Sequence, residues 1–370
     1  MNFTCSRKDL VEAFNVVSKA VSSKPQMPIL SGIYMKAEGS TLELQANNFE
    51  MGIITKIPVN TEDPGEIVVT GKYLQEVVRK LSGETVNISH DESQHIANIK
   101  SDTANFKLLS MSSEDFPKVK SPETFSTFSL RAATLKNLIR KTAYACANEE
   151  VRPIFTGCCL ELAGNSVSMI ATNTHRLAIM KDTFDAELEN LTFVVPSKTL
   201  WELFRMIDYS DPSNSVTIDC SRKNISFTFD NIFMTSRLID GQFPPYDKVI
   251  PQTAETIATV KVAEMMEAVD RVALISKETE YNTIRFIFTQ EGINISSDSP
   301  EVGRAEEQIS AKIEGADIDI SFNVKYIVDV LKVIDSEECV IKLNKPLSPV
   351  DIREKDRDNF IYVVTPVRTN

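Results

Sequence analysis

A helical pattern that occurs three times at nearly constant spacing constrains this chain more than any other feature of its sequence. The three segments are KYLQEVVRKL at 72–81, KTLWELFRMI at 198–207 and KYIVDVLKVI at 325–334, so their starts lie 126 and 127 residues apart. Each segment places apolar residues at i, i+3, i+4 and i+7, which is typical of an amphipathic helix with one buried stripe. The spacing therefore predicts three copies of one domain.

Other predicted elements recur in the same order around these helices. A first helix is predicted at 7–24, 131–146 and 261–277, and strands that alternate apolar and polar residues at least in part are predicted at 40–48, 165–173 and 291–299. The preceding segments GIYMKAEG, GCCLELAG and IRFIFTQEG match each other as strands. This order predicts an α+β fold in which every copy packs two helices on antiparallel sheets.

Two polar, proline-bearing segments, KSPETFS at 120–126 and IPQTAET at 250–256, predict the linkers between copies. We therefore predict domains at 1–122, 127–251 and 255–370. Each is long enough to bury a core of its own.

The cysteine pattern and the hydropathy favour a cytoplasmic protein. The six cysteines form neither a CxxC pair nor a disulfide framework, and we expect them to stay reduced. The first residues, MNFTCSRKDL, lack the apolar run of a signal peptide, and no segment approaches the roughly 18 apolar residues of a membrane span.

The net charge of −12 hides an uneven distribution. The six predicted helices together carry +8, so the rest of the chain carries −20. The repeated helices place basic pairs opposite their apolar stripes, and helix 131–146 carries four basic residues and no acid. The alternative is a solvated helix face on which neighbouring acids pair with these cations. We predict modest, sequence-independent contact with phosphate, since no base-reading element is present.

Catalytic and metal-binding motifs are missing from the sequence. It has three histidines and no HExxH, CxxC or G-x-S-x-G motif. GEIVVTGKY at 65–73 differs from a P-loop in its glycine spacing and in the tyrosine that replaces the hydroxyl residue for magnesium. We therefore predict no enzyme, no metal and no cofactor, with an enzyme whose site the sequence hides as an alternative.

Several segments in register resemble one known family along the whole chain. They are ATNTHRLAI (171–179), DGQFPPYDKV (240–249), FNVKYIVDVL (322–331) and VVTPVR (363–368). They are similar to the beta subunit of bacterial DNA polymerase III, the sliding clamp. The resemblance implies a homodimer in which two chains pair head to tail and six domains close a ring, with the helices inside. Such a ring encircles double-stranded DNA without sequence specificity and tethers the polymerase. The main alternative is a monomeric peptide-binding scaffold that does not encircle DNA.

The resemblance also implies partners and three sets of site residues. The partners are the DNA polymerase III alpha subunit, the clamp loader, repair factors and other proteins with a clamp-binding motif. The DNA-facing set is Lys24, Lys72, Arg79, Lys141, Arg152, Lys198, Arg205 and Lys325. The peptide-binding pocket is Thr172, His175, Arg176, Leu177, Pro244, Val249, Asn323, Tyr326, Leu347, Val363, Pro366, Val367 and Arg368. The dimer interface brings Lys72 and Phe106 of the first domain to Leu274, Ile275, Glu306 and Glu307 of the third.

The sequence departs from the family pattern at the pocket. Asn173-Thr174 stands where the family often has Asp-Gly, and Thr365 and Lys248 replace a larger apolar residue and an arginine. Because a β-branched residue tolerates positive φ poorly, we expect this turn to differ in shape.

Overall fold

The computed structural model describes residues 1–148, 151–276 and 282–368. The chain divides by packing into two compact units. Unit 1 comprises Met1–Ala133 and Arg205–Leu238, and unit 2 comprises Thr134–Phe204 and Ile239–Asn370. This division joins the segment 205–238 to the N-terminal part of the chain, so the three domain boundaries stay a prediction.

Antiparallel strands make up nearly half of the described residues. They are β1 (Asn2–Ser6), β2 (Gly32–Glu38), β3 (Thr41–Asn47), β4 (Met51–Pro58), β5 (Asn60–Asp63), β6 (Gly65–Thr70), β7 (Thr85–Asp91), β8 (Ile96–Ser101), β9 (Ala104–Met111), β10 (Ser126–Arg131), β11 (Gly157–Thr172), β12 (Arg176–Pro196), β13 (Ser215–Cys220), β14 (Asn224–Phe229), β15 (Ile232–Arg237), β16 (Thr256–Lys261), β17 (Thr283–Thr289), β18 (Gly292–Ser299), β19 (Gly303–Ile309), β20 (Lys312–Gly315), β21 (Ile318–Asn323), β22 (Glu338–Leu343), β23 (Val350–Glu354) and β24 (Phe360–Val364).

The helices are fewer and carry the repeated pattern. They are α1 (Arg7–Val17), α2 (Gly71–Lys80), α3 (Ala132–Thr142), α4 (Ser197–Met206), α5 (Val262–Ser276) and α6 (Val324–Leu331). None of the helices in the described residues is long and apolar enough to cross a membrane. Because these helices accompany antiparallel strands, the predicted α+β class is confirmed.

Unit 1 contains one thirteen-stranded sheet in the order β10-β13-β14-β15-β4-β3-β2-β6-β9-β8-β7-β1-β5. Its strands bury alternate residues, as the period of two predicts; β1, for example, buries Phe3 and Cys5 between less buried neighbours. Helix α1 begins after Ser6, whose hydroxyl accepts the Asp9 backbone N–H at 3.4 Å. The sequence Ser-x-x-Asp thus supplies an N-cap at the point where the strand ends.

Unit 2 contains a seven-stranded sheet, β11-β12-β24-β23-β22-β16-β20, and a four-stranded sheet, β19-β18-β17-β21. Helix α6 begins after Asn323, whose side-chain oxygen accepts the Lys325 backbone N–H at 3.0 Å. Two strands were predicted across 157–173, but the structure has the single strand β11, with register shifts on both sides of Gly164.

The apolar stripes of the repeated helices are confirmed, whereas several helix ends are not. α2 buries Leu74 and Val78, and α6 buries Ile327 and Leu331. The helix predicted to end at 24 ends at Val17 and is followed by one 3-10 turn. The prediction that this helix reaches Lys24 was wrong. Pro25 disfavours helical backbone at Lys24, the residue before it. The helices predicted to reach 146 and 334 end at 142 and 331.

Candidate functional site: an apolar cavity in unit 2

A tight turn connects β11 to β12 in unit 2, at one edge of an apolar cavity that we call the unit 2 cavity. The side-chain oxygen of Asn173 accepts the backbone N–H groups of His175 and Arg176, at 3.1 and 3.0 Å. The Thr172 hydroxyl accepts the Thr174 N–H at 3.1 Å and donates to the Arg176 carbonyl at 2.7 Å. Thr174 adopts φ 76°, which costs a β-branched residue on the order of 1–3 kcal/mol. These side-chain hydrogen bonds hold the left-handed turn without glycine, and the expected difference in turn shape from the family stays a prediction.

Arg176 lies buried beneath this turn. Its guanidinium donates to Asp329 Oδ2 at 2.6 Å and to the Tyr144 carbonyl. The Tyr326 ring lies 4.7 Å below the guanidinium carbon, within the range of a cation–π contact. Burial lowers the pKa of Arg176, but the interaction with Tyr362 and the hydrogen bond with Asp329 outweigh burial and raise it. Arg176 is therefore a fixed cation that ties β12 to α6.

The cavity opens beside these residues and has a volume of about 230 Å³. Its floor is formed by neighbouring apolar residues of β12 and β24, where Leu177 pairs with Val363. The lining residues are Phe155, Thr172, Thr174, His175, Arg176, Leu177, Pro244, Pro245, Tyr246, Val249, Pro349, Val363 and Thr365. An apolar floor with a few polar groups at the rim suits a short peptide or a small apolar ligand.

The structure brings together about half of the predicted pocket residues. Those in the lining are Thr172, His175, Arg176, Leu177, Pro244, Val249 and Val363. Tyr326 lies just behind them, since its ring stacks on His175 with centroids 6.5 Å apart. The remaining predicted residues lie outside the lining, namely Asn323, Leu347, Pro366, Val367 and Arg368. Whether either group binds a peptide stays a prediction.

Sequence reasoning missed several residues that line the cavity. Pro245 and Tyr246 directly follow Pro244, and the proline pair itself was the signal that could have found them. The Tyr246 hydroxyl donates to Glu161 Oε2 at 2.7 Å. Burial and this carboxylate raise the pKa of Tyr246 well above its usual range, so its hydroxyl stays protonated as a donor. Phe155 and Pro349 come from distant segments and carry no local signal, whereas Thr365 lies in the VVTPVR segment that the resemblance already assigned to the pocket.

Most predicted DNA-facing residues are exposed. Those with exposed side chains are Lys24, Lys72, Arg79, Arg152, Lys198, Arg205 and Lys325. Lys325 Nζ also pairs with Asp329 at 3.1 Å, four residues along α6. Exposure makes these side chains available to phosphate, and whether they contact DNA stays a prediction.

Lys141 was wrongly included in the DNA-facing set. Its side chain is 1% exposed, and Nζ lies 2.6 Å from Glu354 Oε1 and 3.0 Å from Asp335 Oδ2. Glu354 Oε1 also accepts the Asp335 backbone N–H at 2.6 Å. A buried ammonium that is already paired cannot reach a duplex, and assembly with other molecules cannot expose it further. Lys141 instead joins α3 to β23 within unit 2.

The residues predicted for the dimer interface lie at the surface of their own units. Phe106 on β9 is 41% exposed, and Leu274 near the end of α5 is 65% exposed. Glu307 accepts hydrogen bonds from the Arg271 guanidinium, with Nε at 2.9 Å, and Glu306 accepts one from Asn294 at 2.8 Å. Lys72 is exposed at the start of α2, and Ile275 is half-buried. Single exposed apolar side chains are common on protein surfaces, so whether these residues form a dimer interface stays a prediction.

Metal-ligating groups and cysteine thiols are the remaining side chains that could carry chemistry in the described residues. No group of three His, Cys, Asp or Glu side chains in residues 1–148, 151–276 and 282–368 could hold a metal ion. All six cysteines are free thiols and buried. Burial is the first cause of the raised pKa values of Cys158 and Cys159, and it keeps both sulfurs in the less reactive thiol form.

Comparison with known proteins places this architecture in one family. Models of the N-terminal, central and C-terminal domains of the DNA polymerase III beta subunit match residues 1–120, 129–245 and 247–368. The chain is 33% identical to the beta sliding clamp of Bacillus subtilis, with all of both chains covered. It is 30% identical to the beta sliding clamp of Staphylococcus epidermidis over the same extent.

Solved structures agree with the sequence relatives. A crystal structure of the DNA polymerase sliding clamp from Bacillus subtilis superposes with a TM-score of 0.95 at 33% identity, and all of both chains is covered. A Pseudomonas aeruginosa sliding clamp bound to griselimycin superposes with a TM-score of 0.93 at 29% identity, again over the full length of both. The chain therefore belongs to the DNA polymerase III beta subunit family, the beta sliding clamps.

Proposed function

We propose that this sliding clamp works as a homodimeric ring around duplex DNA and that it holds its partner proteins through the unit 2 cavity. Two chains with three similar domains each would pair head to tail, with domains at 1–122, 127–251 and 255–370. The ring would hold DNA by topology, so its lining needs only weak contacts that allow sliding. The match of all three family domains, in order along the whole chain, carries this proposal.

We further infer that the chain performs no catalysis and works in the bacterial cytoplasm as part of the replication machinery. Its partners would be the alpha subunit of DNA polymerase III, the clamp loader and repair factors. The unit 2 cavity supports this role because its apolar floor suits an aliphatic side chain of a docked peptide. A Pseudomonas aeruginosa relative binds griselimycin, and we expect the same class of ligand to compete with partner proteins here.

The exposed cations would form the lining, without Lys141. We expect a fivefold alanine variant to lower the yield of loading onto circular DNA roughly tenfold at low salt, because each lost phosphate contact reduces the number of counterions released on binding. The substituted residues are Lys24, Arg79, Lys198, Arg205 and Lys325, which leaves out Lys72 because it is also predicted at the dimer interface. Loading is measured as the amount of labelled protein on nicked plasmid after a fixed time with a clamp loader.

The matched control neutralises five exposed lysines of strands and turns. They are Lys56, Lys100, Lys181, Lys312 and Lys345. This control variant changes the net charge by the same amount as the lining variant. Equal effects of the two variants on the amount of protein on DNA would show that only the overall charge matters, and would contradict the proposed lining.

For the cavity, we expect Val249→Glu to weaken binding of the alpha subunit of DNA polymerase III at least tenfold. Val249 lies in the lining and is 49% exposed, so the substitution places a carboxylate against an apolar ligand without disturbing the core. Binding is measured by titration with fluorescence anisotropy. Val302→Glu is the control, since Val302 is 54% exposed on the turn between β18 and β19. Unchanged binding by the Val249 variant would place the docking site elsewhere.

A further inference from the structure

The turn between β3 and β4 in unit 1 repeats the turn before β12 in unit 2. The side-chain oxygen of Asn48 accepts the backbone N–H groups of Glu50 and Met51, at 3.1 and 2.8 Å. Asn173 makes the same pair of hydrogen bonds 125 residues later. Phe49 adopts φ 69°, close to the 76° of the matching threonine. Phe49 and Thr174 both adopt positive φ, although their side chains disfavour it, and they lie at the same position of the repeat.

The strand pairing that follows this turn is repeated as well. β4 pairs with β15 in unit 1, as β12 pairs with β24 in unit 2. The Arg237 N–H donates to the Glu50 carbonyl at 2.8 Å, and the Thr365 N–H donates to the His175 carbonyl at 2.9 Å. A Phe-Pro segment lies against the unit 1 turn too, since Asn47 Nδ2 donates to the Pro117 carbonyl at 2.8 Å. The backbone framework of the unit 2 cavity is therefore present twice.

A second cavity lies at the repeated position. This unit 1 cavity has a volume of about 150 Å³, and its walls include Phe49, Gly52, Val119, Lys120, Asn224 and Arg237. An apolar cavity of that size in another protein takes up a benzene-sized group. The unit 1 cavity is thus large enough for one medium side chain of a ligand.

The walls differ from those of unit 2 in size and in charge. Gly52 stands where unit 2 has Leu177, and Val119 fills the space, since a Cβ on Gly52 would lie 2.8 Å from Val119 Cγ2. Lys120 and Arg237 are exposed, and among the described residues neither side chain forms an ion pair. Glu50 is the acid among the lining residues. The cavity therefore offers a small recess with both apolar and polar walls, and with two available cations at its edge.

From this repeated framework we propose that the unit 1 cavity is a second docking site, for a short acidic segment of a partner protein. An aliphatic side chain of that segment would enter the recess beside Phe49 and Val119. A neighbouring carboxylate would lie against Lys120 and Arg237, and the Asn224 amide would bind peptide backbone. A peptide fits better than nucleic acid because the recess is large enough for only a single side chain.

The test is a titration of the full-length protein with acetyl-Asp-Leu-Asp amide. Chemical shifts of the Met51 and Val119 methyl groups report on binding. We expect saturable shifts of both methyl groups and at least tenfold weaker binding by the double variant Lys120→Glu, Arg237→Glu. The charge-matched control is Lys181→Glu, Lys345→Glu, which should bind as the unmodified protein does. Val249→Glu should also leave this titration unchanged, so failure here is distinguishable from failure of the unit 2 docking site.

Two further probes decide which ligand chemistry the site prefers. Acetyl-Lys-Leu-Lys amide should shift neither methyl group. Equal binding of this peptide, absence of any shift, or no effect of the double variant would each overturn the proposal. A thymidine hexanucleotide that binds where the acidic peptide does not would assign the cavity to nucleic acid, and inorganic phosphate that binds as tightly as the peptide would reduce it to an anion site. Either result contradicts a peptide site.

Discussion

We expect Glu354→Gln to lower the free energy of unfolding by about 3 kcal/mol, at the lower end of the range for breaking one side of a buried ion pair. The Lys141 and Glu354 side chains are each 1% exposed, and their charged atoms lie 2.6 Å apart. The substitution leaves the ammonium buried with only the partly exposed Asp335 as a counter-ion. Since the unit is large, each kcal/mol shifts Tm by roughly 2–4 °C, so Tm should fall by about 6–12 °C.

Denaturant titration and calorimetry measure this effect, and Glu338→Gln is the matched control. Glu338 pairs with Lys355, and both side chains are about a third or more exposed. Exposed pairs of this kind contribute about 0–1 kcal/mol. A loss from Glu354→Gln no larger than that from Glu338→Gln would contradict the buried role of Lys141.

The second large effect is expected at the proposed dimer interface. Phe106→Glu should weaken dimerisation at least a hundredfold, because a carboxylate would have to lose its hydration at the centre of an apolar contact. Phe106 is 41% exposed on β9, so the change leaves the core of unit 1 intact. We expect sedimentation to give a single species of 41.4 kDa at concentrations where the unmodified protein is a dimer.

Phe125→Glu provides the comparison for this experiment. Phe125 is 55% exposed and lies outside the predicted interface residues. A dimer that survives Phe106→Glu would refute the placement of the interface. A monomeric variant should also lose retention on circular DNA, because one chain carries three of the six domains that closure needs.

Local periodicity was sufficient to predict the helices and some of the strands. The stripe positions Leu74 and Leu200 are buried, as a 3.6-residue period requires. Helix ends were predicted less well because the terminal residues depend on capping and on 3-10 turns. Val17 ends α1, although the pattern of the sequence continues beyond it.

Most of the predicted pocket residues that line the cavity come from two short segments of the sequence, 172–177 and 244–249. Val363 is the predicted lining residue outside these two segments. Lys141 could not be placed correctly from a helical wheel. Its partner Glu354 lies 213 residues away, and long-range pairing of this kind has no local signature.

The central claim is that a closed dimer encircles DNA, and retention on circular against linearised DNA tests it most directly. The labelled protein is placed on a nicked plasmid by a clamp loader, and the plasmid is then cut once with a restriction enzyme. We predict stable retention on the circle and rapid loss after the cut, with loss prevented when both ends are blocked by bound protein. Equal retention before and after the cut would contradict encirclement, and would favour a scaffold that binds DNA or its partners without a ring.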